Sequence, residues 1–114
     1  MRRVPVLGAW VLLAAVSAVQ AHAHLQAASP ADQSVLSAAP TQLVLHFSEA
    51  ARLTALAIGK AGEPPRKLPL PAGDPAAQIV VPLPQLSPGQ YVVSWRAVGA
   101  DGHVVPGQIH FTLQ

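Results

Sequence analysis

Four segments of the chain alternate apolar and polar residues with a period of two. Because successive side chains of a strand point to opposite faces, this alternation predicts half-buried β-strands. Tyr91 and Trp95 fall on the apolar face of one such strand, so we expect them to fill a core rather than to stack against a sugar or a base. The apolar positions of the four segments are Leu43, Leu45 and Phe47; Ile79, Val81 and Leu83; Tyr91, Val93, Trp95 and Ala97; and Ile109, Phe111 and Leu113.

Two further segments have a weaker pattern. Alanines dilute the apolar periodicity between Leu53 and Ile58, and Pro69 restricts the segment from Arg66 to Leu70 to an edge or irregular strand. Gly and Pro punctuate the chain between these segments and predict turns. Several strands separated by turns, without a useful amphipathic helical pattern, predict an all-β fold: a small Ig-like or Greek-key β-sandwich or barrel of about seven strands.

The start of the chain has a different pattern. Arg2 and Arg3 precede an apolar run from Val4 to Val19, which is typical of a secretory signal peptide. The run is shorter than the roughly 20 apolar residues that span a bilayer, so we expect cleavage and no membrane span afterwards. The arginine pair also allows twin-arginine export, but the following residues do not complete that motif. Ordinary secretion to the periplasm is therefore expected.

Small residues offer two cleavage points at the end of this leader. Cleavage after Ala21 would release a chain that begins with His22, and cleavage after Ala23 a chain that begins with His24. Either cut would place a histidine at the new N-terminus.

The composition of the remaining chain excludes several classes of function. Its length suffices for one domain. Loss of Arg2 and Arg3 would leave five basic and five acidic residues, and a neutral surface argues against nucleic-acid binding, which needs clustered positive charge. The chain has no cysteine, and its one methionine is Met1. Disulfides, a cysteine nucleophile and sulfur ligands are thus excluded from the mature part.

An N-terminal histidine and a short loop motif suggest a metal site. The α-amine and imidazole of such a histidine can chelate one ion together, and Asp101-Gly102-His103 places an oxygen and a nitrogen donor two residues apart. Three nitrogens and one oxygen suit the tetragonal geometry of Cu(II). We call this ligand set the loop-assisted site. Asp-Gly is also a turn signal on its own, in which case His103 would merely be solvated.

A second mode of copper binding is possible if the chain begins at His22. The amine, two deprotonated backbone amides and the imidazole of His24, the third residue, could then surround Cu(II). We call this mode the local wrap. Burial of Leu25 in the first strand would disfavour it, but the sequence leaves the competition open.

Other polar residues are weaker candidates. His46 and His110 each lie between two apolar positions of a predicted strand, so both should face outward or lie at the rim. Glu49 and Ser48 close the strand that holds His46. We regard His46 and Glu49 as residues that would support the metal ligands rather than bind the ion.

A set of short motifs runs through the chain after the leader. They are His22-Ala23-His24-Leu25, Ser29-Pro30-Ala31, Leu45-His46-Phe47-Ser48-Glu49, Pro88-Gly89-Gln90-Tyr91, Val93-Ser94-Trp95-Arg96 and Asp101-Gly102-His103. With them the chain resembles the CopC family of periplasmic copper-resistance proteins, including its YobA-like members, over essentially all of residues 22–114. The family's spacing from its initial histidine to Ser-Pro-Ala favours cleavage after Ala21, with a signal peptide at 1–21.

The resemblance implies a seven-stranded Greek-key fold that binds Cu(II) through His22, Asp101 and His103, with His24 as an optional neighbour. Some family members also hold Cu(I) with methionines and a histidine that aligns with His46. Since the chain after the leader has no methionine, we expect one Cu(II) site and no thioether Cu(I) site.

These observations predict a periplasmic Cu(II) carrier or buffer in copper resistance or homeostasis, and not an enzyme. Its expected partners are the copper ion and an inner-membrane transporter that resembles CopD. One alternative is a copper oxygenase acting on polysaccharides, which would share the N-terminal histidine chelate. Another is a metal-free adhesion or chaperone-like sandwich, in which the histidines are incidental.

Overall fold

The computed structural model describes residues 23–114, and all regular secondary structure in that range is β-strand. No helix in the described range is long and apolar enough to cross a membrane. The predicted leader and His22 lie outside the described residues. The strands are β1 (Leu25–Ser29), β2 (Ser34–Leu36), β3 (Gln42–Lys60), β4 (Arg66–Lys67), β5 (Ala76–Pro82), β6 (Gly89–Gly99) and β7 (Val104–Leu113).

The long strand β3 organises the fold. Residues 44–47 pair antiparallel with β1 and residues 42–46 with β5, whereas residues 51–60 pair antiparallel with β6. β7 continues the sheet beyond β6, and β2 adds a parallel strand at its edge. β3 therefore passes from one set of neighbours to another, and the segment between its two halves lies beside both β1 and β6.

The strands enclose a single apolar core. Leu43 and Leu45 from the first half of β3 lie in the same cluster as Leu56 and Ile58 from its second half. The predicted inward faces of β6 and β7 are confirmed, and Tyr91 and Trp95 are both buried. The ring of Tyr91 stacks on a second aromatic ring across the strand pair, with centroids 5.3 Å apart. The all-β prediction with about seven strands is thus confirmed.

Strand irregularities explain the weak sequence pattern of two segments, residues 53–58 and 66–70. The register of β3 against β6 shifts between Leu53 and Ala55, so that Leu53 and Leu56 are both buried although they are three residues apart. A bulge of this kind inserts an extra residue and breaks the period of two. Pro69 follows the two-residue edge strand β4, as the sequence predicted for a segment that includes proline.

Candidate metal centre

Asp101 and His103 lie in the turn between β6 and β7. The Gly102 N–H donates to the Gly99 carbonyl oxygen at 3.0 Å, and the Gly99 N–H donates to the His103 carbonyl oxygen at 3.1 Å. Gly102 has φ = 85°, a conformation that glycine adopts without steric cost. The turn predicted from Asp-Gly is therefore present, and it projects both candidate ligands from the end of the hairpin.

The carboxylate of Asp101 contacts His103 at two points. It accepts a hydrogen bond from the His103 N–H at 3.1 Å, and its second oxygen lies 2.8 Å from His103 Nδ1. One oxygen donor and one nitrogen donor of the pair, Asp101 Oδ2 and His103 Nδ1, therefore lie side by side. The His103 side chain is 66% exposed and that of Asp101 is 23% exposed. The pair is thus accessible to an ion, and its two contacts hold the side chains in one orientation relative to each other.

The beginning of the described chain lies directly beside this pair. A methyl group placed on Gly99 would lie 3.4 Å from the Ala23 nitrogen and 3.3 Å from Asp101 Oδ1. Ala23 is only 1% exposed, and Gly99 pairs with the buried Ala51 of β3. Three small residues therefore allow the N-terminal segment to approach the end of β6 closely. The sequence reasoning missed Gly99 and Ala51, whose role depends on a contact between distant segments.

His24 is held by β3 rather than by the turn. Its N–H donates to Ser48 Oγ at 3.0 Å, and the same oxygen lies 3.2 Å from His24 Nδ1. The Ser48 N–H donates in turn to the His24 carbonyl oxygen at 2.8 Å. These bonds extend the β1–β3 pairing, in which Leu25 lies opposite Phe47.

His46 and Glu49 are exposed on β3. His46 lies on the face opposite Leu45 and Phe47, as its position in the alternation predicts, between Ala27 of β1 and Gln78 of β5. Within residues 23–114 the side chains of His46 and Glu49 form no hydrogen bond or ion pair. Their suggested role in supporting the ligands remains a prediction.

A second histidine–carboxylate contact was not anticipated from the sequence. Asp32 Oδ1 accepts a hydrogen bond from the His110 N–H at 2.8 Å and lies 3.6 Å from His110 Nδ1. The Gln33 N–H also donates to the His110 carbonyl oxygen. This contact joins the β1–β2 connection to β7, across a separation of 78 residues that no local pattern reveals.

The described residues do not by themselves form a complete metal site. No three of their His, Asp and Glu side chains come close enough together to hold an ion. The pair of Asp101 and His103 supplies one oxygen and one nitrogen donor. The predicted ligand His22 lies outside the described range.

Comparison with known proteins agrees with the fold and the motifs. The sequence model of the CopC domain family matches residues 25–114. Copper resistance protein C of Pseudomonas syringae pv. tomato is 32% identical over 97% of this chain and 94% of its own length. Protein YobA of Escherichia coli K12 is 36% identical over 84% of this chain and 82% of its own length. The crystal structure of CopC from Methylosinus trichosporium OB3b superposes with a TM-score of 0.70, at 27% identity, over 82% of this chain and 94% of that one. This chain therefore belongs to the CopC family.

Proposed function

We propose that this protein is a periplasmic copper-resistance or copper-homeostasis protein that binds one Cu(II) ion and acts as a carrier or buffer. The ligands in this proposal are the amine and imidazole of His22, the carboxylate of Asp101 and the imidazole of His103. Membership of the CopC family supports copper as the cargo, since relatives bear the name copper resistance protein C.

The observation that carries the proposal is the close approach of Ala23 and Asp101 over Gly99. The Ala23 nitrogen is bonded to the carbonyl carbon of His22. This position supports the proposal, because the amine and side chain of a residue one peptide bond away would need to span only a short distance to the Asp101 and His103 pair. A chain that began further along, at His24, would lack a residue at this position.

The donor set favours Cu(II). Three neutral nitrogens and a carboxylate suit a tetragonal ion, and Cu(II) has the highest affinity among the first-row divalent ions. The only methionine of the chain is Met1, and cysteine is absent. Once the predicted leader of residues 1–21 is cleaved, no sulfur remains for a Cu(I) site.

The geometry favours transfer of the ion over catalysis. Asp101 would occupy a position that an oxidant needs in a copper oxygenase, and the His103 side chain is largely exposed. A groove of about 610 Å³ on the outer face of the sheet is lined by residues such as Gly59, Val92 and His110, and neither Asp101 nor His103 lines it. An exposed ion can be passed on by stepwise ligand exchange, and an inner-membrane transporter resembling CopD would be the recipient.

A competition titration tests this proposal. Protein that begins at His22 should bind one Cu(II) tightly, and His103→Ala should bind it far more weakly while keeping the strand-rich circular dichroism spectrum. A variant with one extra glycine before His22 removes the chelating amine from the site and should lose affinity to a similar degree. Equal affinity of all three proteins would reject the proposed ligand set and favour a nonspecific site.

A further inference from the structure

Ser48 binds His24 at three points. Its hydroxyl contacts both the amide nitrogen and Nδ1 of His24, at 3.0 and 3.2 Å, and its own N–H donates to the His24 carbonyl oxygen. One hydroxyl can accept from the amide N–H and donate to a neutral Nδ1 at the same time. A single β3 residue therefore fixes both the backbone and the ring of His24.

The two atoms that Ser48 Oγ contacts are the two His24 atoms that the local wrap would use. A chain that begins at His22 would wrap Cu(II) with its amine, the amide nitrogens of Ala23 and His24, and His24 Nδ1. Copper can take the His24 atoms only after the contacts with Ser48 have been broken. The loop-assisted site uses neither atom.

The surroundings of Ala23 oppose the local wrap in the same way. Its amide nitrogen lies over Gly99 in the buried part of the segment, whereas the His24 amide points to Ser48. The wrap would turn both nitrogens towards one ion. It would therefore draw the 1% exposed Ala23 out of the core, at the cost of its apolar contacts.

We propose that Ser48 is a positioning residue that selects the copper geometry: by holding the His24 amide and Nδ1, its hydroxyl directs Cu(II) away from the local wrap and into the loop-assisted site. This inference rests on the proposed function, since both geometries require a chain that begins at His22. Ser48 itself does not contact the ion. Its effect is a preference between two ligand sets for the same ion.

Visible absorption and electron paramagnetic resonance of the Cu(II) protein at fixed pH distinguish the two ligand sets. Four nitrogens including two amides exert a stronger ligand field than three nitrogens and one carboxylate, so the local wrap absorbs at shorter wavelength. Ser48→Ala should raise the ratio of local wrap to loop-assisted complex by up to about tenfold, the effect of losing one net hydrogen bond. Ser48→Thr retains a hydroxyl and should keep the spectrum of the natural protein.

Two controls separate selection of geometry from general damage to the fold. Ser94→Ala removes an exposed strand hydroxyl from β6 and should leave the spectrum unchanged. The double variant Ser48→Ala/His24→Ala lacks the imidazole of the wrap, so its spectrum should return to the loop-assisted form. Persistence of the short-wavelength band in the double variant would overturn the inference.

The outcomes also separate this inference from the proposed function. If Asp101→Asn changes the spectrum of the natural protein but Ser48→Ala does not, the loop-assisted site stands and the role of Ser48 is rejected. If the natural protein already shows the four-nitrogen spectrum, and Asp101→Asn leaves it unchanged, the proposed ligand set itself fails. A shift in Ser48→Ala that Ser48→Thr reverses supports both.

Discussion

Asp101 combines two tasks that a metal site usually divides between residues. In the proposed site one carboxylate oxygen is a donor to the ion, and in the structure the other oxygen accepts a hydrogen bond from the His103 N–H. Partners that orient a ligating histidine contribute to affinity through geometry and through the basicity of the ring. In that site the charge and the hydrogen bond of one side chain would therefore act on the same ion.

The variant Asp101→Asn tests this double role. An amide keeps an oxygen that can accept the His103 N–H, but it loses the negative charge that partly neutralises Cu(II). We expect the Cu(II) affinity to fall by about 10- to 100-fold, measured by competition titration. Asp74→Asn changes an exposed carboxylate in the loop between β4 and β5 and should have no effect. An unchanged affinity in Asp101→Asn would remove this residue from the site.

Gly99 is the residue on which the N-terminal segment and the turn meet. In Gly99→Ala the new methyl group would lie 3.3 Å from Asp101 Oδ1 and 3.4 Å from the Ala23 nitrogen, so one or both must move by a few tenths of an ångström. We expect a severalfold loss of Cu(II) affinity in the same titration. Gly59→Ala on β3 makes only an ordinary contact with Pro65, at 3.5 Å, and serves as the matched control. Equal copper affinities of the two variants would show that this approach does not shape the site.

At the scale of the strand pair, the Trp95 ring of β6 packs against Gly107 of β7. Trp95 lies opposite Gly107, and a methyl group on Gly107 would lie 2.5 Å from Cζ2 of the indole, which is far inside van der Waals contact. The absence of a side chain thus allows the buried Trp95 ring to lie flat against the neighbouring strand.

Gly107→Ala should therefore destabilise the fold by about 1–3 kcal/mol through overpacking. The free energy of unfolding in urea measures this effect, with Gly59→Ala as the control that should change little. Because the clash lies within the core and away from the turn, the folded variant should keep the Cu(II) spectrum. A Gly107→Ala protein as stable as the original would contradict the packing described for Trp95.

The sequence predicted the elements better than it predicted the site. Alternation identified the buried faces of β5, β6 and β7, because each pairs without a shift in register over most of its length. It did not predict that β3 is one strand of 19 residues, because the register shift at Leu53 and Ala55 breaks the period of two. The sequence predicted the Asp-Gly turn because the turn preference of these two residues is a local property.

The contacts that position the site join residues far apart in the chain. Ser48 and His24 are 24 residues apart, and Gly99 meets Ala23 from the opposite end of the domain. Neither contact has a local signature, since a serine at a strand end and a glycine before a turn are common. The sequence therefore suggested the ligands, whereas the contacts from which we infer a preference between two copper complexes required the structure.

For the whole molecule, the proposed site depends on how β3 connects its two parts. Ser48 holds the residue before β1, and Ala51 pairs with the end of β6, so the two attachments lie three positions apart on one strand. The N-terminal segment is thereby fixed next to the β6–β7 turn by the core of the fold. A metal site that uses the chain terminus needs such an anchor, because a free terminus would lose conformational entropy on binding.

The central claim is that copper binds to a chain that begins with His22. The most direct test is the mass of the protein recovered from the periplasm, measured under native conditions without metal and with excess Cu(II). We predict a mass for residues 22–114 that increases by one copper ion. A chain that begins at His24 or still carries the leader, or one that retains no copper, would contradict the account.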